Sequence, residues 1–136
     1  MEHLNRRHAL LSLAVASTLV PVSRAAAQPY GPTEGRETAP GVRRVDLTKR
    51  ETMISPYKMV SMRDTVYQPG ATTSGNTMPN DMVCHMLEGE LTVNLGSGDN
   101  LFKKGDVWSC AKGMPEHSKN TGSTVAIMRV IDLLPA

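Results

Sequence analysis

The chain has 136 residues, 15 of them Lys or Arg and 13 Asp or Glu, and no run of like charge is longer than a pair. That length has room for one domain, and a formal charge of +2 spread so evenly argues against a nucleic-acid groove. Only 4% of residues are aromatic, with Trp108 and Phe102 alone of their kinds, against nine methionines, so a core has to be built from Val, Leu, Ile and Met.

Residues 1–27 read as a signal peptide. Arg6 and Arg7 form a basic start, Ala9 to Val20 is a charge-free apolar run, and Ala25-Ala26-Ala27 supplies the small residues of a cleavage site before Gln28. The apolar run is well short of the ~20 residues of a membrane-spanning helix. The expectation is therefore an exported protein, periplasmic or secreted, with no membrane span in its mature part. The arginine pair fits twin-arginine export, and it fits general secretion as well. Removal of the segment takes Arg6, Arg7, Arg24, Glu2, His3 and His8, leaving 12 basic and 12 acidic residues and only two histidines, His85 and His117. Cys84 and Cys110 stay, in a compartment that permits disulfides.

Residues 28–50 are rich in Pro, Gly, Thr and charge and lack apolar periodicity, as a flexible arm or linker does. From 51 to 136 short β-type runs alternate with turn residues: Lys58 to Tyr67, Met82 to Glu88, Glu90 to Leu95, Asp106 to Cys110, His117 to Asn120 and Thr124 to Leu133. The breaks include Gln68-Pro69-Gly70, Gly96-Ser97-Gly98, Lys104-Gly105 and Gly113-Met114-Pro115. No segment carries a helical stripe. Strands this short with turns this frequent predict an all-β domain, closed or built of two antiparallel sheets.

Two stretches set a more specific expectation. Met82 to Gly89, with Leu87-Glu88-Gly89-Glu90-Leu91, and then Gly105-Asp106-Val107-Trp108, Gly113-Met114-Pro115 and Asn120-Thr121-Gly122 resemble the paired signatures of the cupin family, with 15 residues between Gly89 and Gly105. The resemblance implies a jelly-roll β-barrel over roughly residues 58 to 133, and a homodimer paired through strand edges. Its metal-holding members offer three histidines and one glutamate. Counted from Gly89, those positions fall here on Asn76, Met78 and Met82, and counted from Gly113 or Asn120 the last falls on Glu116, with His117 one residue later. The usual three-His-one-Glu site is therefore not expected.

Alternation along a strand places Cys84 and Met86 on the same side as Met82, with His85 opposite. The expected ligand pocket comprises Asn76, Met78, Met82, Cys84, Met86, Glu116 and His117. Three uses stay open: a small-molecule ligand held without a metal; a cupin-type isomerase, lyase or oxygenase with a divalent ion on Glu116 and His117; and copper on the soft Met and Cys donors. Methionines and cysteines at these positions also serve simply as core filling. Cys84 and Cys110 read equally as a disulfide closing a loop of 25 intervening residues or as two buried thiols. The register of the second signature points Glu116 inward and His117 outward unless a bulge follows Pro115.

Overall fold

The computed structural model describes residues 29–136, and all regular structure among them is β-strand. The signal peptide expected at 1–27 lies outside the described residues. Ten strands follow in chain order: β1 (Arg36–Ala39), β2 (Val42–Glu51), β3 (Tyr57–Tyr67), β4 (Thr72–Thr77), β5 (Asp81–Glu88), β6 (Glu90–Asn94), β7 (Asp99–Lys103), β8 (Val107–Cys110), β9 (Pro115–Lys119) and β10 (Ala126–Pro135). Every pairing is antiparallel. One sheet has six strands in the order β1-β2-β3-β10-β5-β8, and the other has four in the order β4-β9-β6-β7. The two sheets sandwich one core, a jelly-roll barrel. Among the described residues, no helix is long and apolar enough to cross a membrane.

The core follows from alternation. In β5, Met82, Cys84 and Met86 are buried and the residues between them are half-buried, while β6 buries Leu91 and Val93. These side chains join Val42, Tyr67, Met128 and Val130 in one cluster. Each fully buried Met, Leu or Val contributes about 1.5–3 kcal/mol, so the cluster outweighs the thin aromatic content.

The signature residues that survive have structural work. Gly89, in the tight turn between β5 and β6, has φ +70°, and a Cβ there would stand 2.6 Å from the Val125 carbonyl oxygen. No other residue fits without moving the backbone. Asn120 is fully buried. Its side-chain amide donates to the carbonyls of Tyr67 at 3.0 Å and Thr124 at 2.8 Å, and its oxygen accepts from the Gly122 amide. It thereby ties the turn after β3 to the turn before β10.

The expected flexible arm is corrected by the structure over the described residues 36–51. There β1 and β2 form the outer strands of the larger sheet, and β2 pairs with β3 from Val42↔Tyr67 to Glu51↔Met59. These strands lack an apolar stripe because, of their inward residues, Val42 joins the buried core while Arg36, Thr38 and Arg44 face a cavity of mixed polar and apolar lining. Strands β4 and β7 were likewise absent from the sequence expectation. Both are sheet edges, and most of their residues are exposed.

On the outer face of the larger sheet, Arg129 of β10 grips Asp64 of β3 through two hydrogen bonds of 2.8 and 2.9 Å. Tyr30 donates its hydroxyl to the same carboxylate. Burial, together with this bond, holds the Tyr30 phenol up to about 12. Asp64 is thus sealed beneath the segment that leads into β1.

Candidate functional site

The interior opens into a cavity of about 180 Å³. Its lining can be read from strand register. One row across the larger sheet runs Arg63, Val130, Cys84, Trp108 through β3, β10, β5 and β8, and the next runs Ser61, Asp132, Met82, Cys110. On the other side of the first row, Arg36, Arg44 and Thr65 are cross-strand partners through β1, β2 and β3. The smaller sheet supplies Asn76 opposite Glu116, and Ser118.

Three guanidinium groups therefore reach a barrel that the sequence expectation lined with sulfur. Arg63 is committed: its Nε donates to Asp132 at 2.9 Å, its second nitrogen reaches the other carboxylate oxygen at 3.4 Å, and a third contacts Thr65 Oγ1 at 3.3 Å. Arg44 is held at 2.7 Å by Asp46, whose side chain is 70% exposed, a pairing that solvent weakens. Arg36 has no ion-pair partner among the described residues. Among the described residues the only carboxylate lining the cavity is Glu116, which accepts a hydrogen bond from Ser118 Oγ at 2.5 Å through Oε1. Its Oε2 has no hydrogen-bond partner among the described residues. Near it, burial first and the Glu116 charge second hold the Tyr67 phenol up to about 12, so Tyr67 remains a neutral donor at ordinary pH.

Of the residues expected in the pocket, Asn76, Met78, Met82, Cys84 and Glu116 line the cavity. Two do not. Met86 is fully buried in the core beyond the cavity, and His117 is exposed because β9 runs without a bulge and alternates Glu116 and Ser118 inward. A metal site built on Glu116 and His117 together is thereby removed: adjacent strand residues point to opposite faces. Cys84 and Cys110 are both buried free thiols. Arg36, Arg44, Arg63 and Trp108, which stacks on Phe102 at 3.9 Å between ring centres, also line the cavity. A signal for Arg63 was present in its alternation with Thr65 and Tyr67. The two arginines of β1 and β2 gave none, because their strands were not legible.

No protein-family model matches the sequence, and no curated protein does. Solved structures match well. An RmlC-like cupin from Shewanella frigidimarina is similar with a TM-score of 0.59 and 17% identity, over 81% of this chain and 93% of that one. The domain has the cupin fold. The Cupin_2 domain of an XRE-family transcriptional regulator from Enterobacter cloacae gives a TM-score of 0.59 at 13% identity, over 71% of this chain and 99% of its own. A cupin domain from Schizosaccharomyces pombe gives 0.56 at 17%, over 68% of this chain, which spans only 64% of that domain's length. At the positions that the family resemblance assigns to a metal, this domain carries an amide, two thioethers and one carboxylate. That set does not fit a divalent Mn, Fe or Ni ion, which takes imidazole or carboxylate ligands. Among the described residues, no three of His, Cys, Asp and Glu are grouped to hold one.

Proposed function

We propose that the chain is an exported binding protein that holds a small hydroxy acid in its barrel. The observation that carries this reading is the polarity of the cavity: Arg36 and Arg44, little committed elsewhere, on the larger sheet, and Glu116 with a free Oε2 on the smaller. A ligand carboxylate pairs with guanidinium in the fork geometry that makes such bonds strong. Its hydroxyl donates to Glu116. At about 180 Å³ the space is below the ~300–1,000 Å³ of drug-sized sites, which favours a molecule of few heavy atoms. Met78, Met82 and Trp108 supply apolar contact for its carbon skeleton.

Thermal unfolding with malate, lactate, succinate, propionate and glucose tests this. A ligand at about 100 times its Kd adds about 2.7 kcal/mol, a shift of several degrees. The hydroxy acids are expected to raise the midpoint most and glucose not at all. Equal shifts with glucose, or none with any carboxylate, would overturn the reading.

A further inference from the structure

The two cysteines form a second constellation, at the sulfur-lined side of the same cavity. In the pairing of β5 with β8, Cys84 stands opposite Trp108 and Cys110 opposite Met82, so the two thiols are diagonal neighbours on the inward face. They are 1% and 3% exposed, and Met82 and Met78 are 4% and 8% exposed. Cys84, Met82 and Met78 all line the cavity, which gives a small cation a way in. A third methionine, Met114, is engaged, since the Ala111 amide donates to its Sδ at 3.1 Å.

We propose that Cys84 and Cys110, with the Met82 thioether beside them, form a Cu(I) site inside the barrel. Thiolate and thioether are the donors that select Cu(I), and no imidazole competes there. Binding needs no redox step. Cu(I) enters, each thiol releases its proton to solvent, and two Cu–S bonds replace two S–H bonds. The neutral pair becomes a site of net charge −1.

The test uses the full chain, reduced and kept anaerobic, with Cu(I) supplied in competition with bicinchoninate. The wild type should take one Cu(I) per chain and release close to two protons, read by pH-stat. Cys84→Ala and Cys110→Ala should each weaken binding by more than the ~10–100-fold that loss of an outer-shell partner costs. Unchanged affinity in both variants would overturn the site. Should either variant fail to fold, the proton count on the wild type still decides: no uptake, or uptake without proton release, contradicts a bis-thiolate.

Discussion

Two arginine–aspartate pairs join β3 to β10 from opposite faces of the same sheet, and their surroundings give them different work. Outside, Arg129 and Asp64 are direct cross-strand partners, and Tyr30 closes over the carboxylate, whose side chain is 1% exposed. Inside, Arg63 reaches diagonally to Asp132, and its guanidinium borders a cavity. The outer pair is sealed and structural. The guanidinium of the inner pair borders an open space. One residue's step along β3, from 63 to 64, separates the two roles.

The largest effect is expected from breaking the outer pair. Arg129→Met leaves a buried carboxylate without its cation and should cost about 3–5 kcal/mol in denaturant unfolding, with carboxylate binding unchanged in whatever protein remains folded. A loss below 1 kcal/mol would mean that water reaches Asp64. Arg63→Met, its inner counterpart, leaves Asp132 beside a separate, open pocket lined also by Ser61, Asn80 and Leu134, and should cost less, about 1–3 kcal/mol. It should also weaken malate binding, since one of three cations has gone. Equal stability costs with no change in binding would erase the distinction between the faces.

Alkaline pH probes both faces together through a smaller effect. Tyr30 outside and Tyr67 inside are each held up to about 12, above the ordinary 10. The folded state therefore keeps these protons longer than the unfolded chain. Their contribution is fully present below pH 10 and is lost as pH rises from about 10 towards 12. Unfolding free energies measured across that window should fall, and the fall should shrink in Tyr30→Phe and in Tyr67→Phe. A flat profile would show that neither phenol is withdrawn from solvent.

The barrel was legible because turn glycines and alternation leave traces that packing enforces: Gly89 is pinned by a backbone carbonyl, and Met82, Cys84 and Met86 must share a face. The inward placement of Glu116 followed from the resemblance, through the register of the second signature between Gly113 and Asn120. The arginine wall was not legible, since a strand whose inner residues face a polar cavity shows no apolar stripe, and charge beside Pro and Gly resembles a linker. Met86 was misplaced because alternation gives the face of a residue and not its depth along the barrel.

The most direct test of the central claim, that the inward residues bind a hydroxy acid and their outward neighbours do not, is calorimetric titration of malate and succinate into the wild type, Arg44→Gln, Glu116→Gln and His117→Ala. The account predicts that the wild type prefers malate. Arg44→Gln should weaken both ligands by about tenfold or more, equivalent to about 1.4 kcal/mol. Glu116→Gln should abolish the preference for malate, and His117→Ala should match the wild type. Silent substitutions at 44 and 116 with a loss at 117 would contradict it.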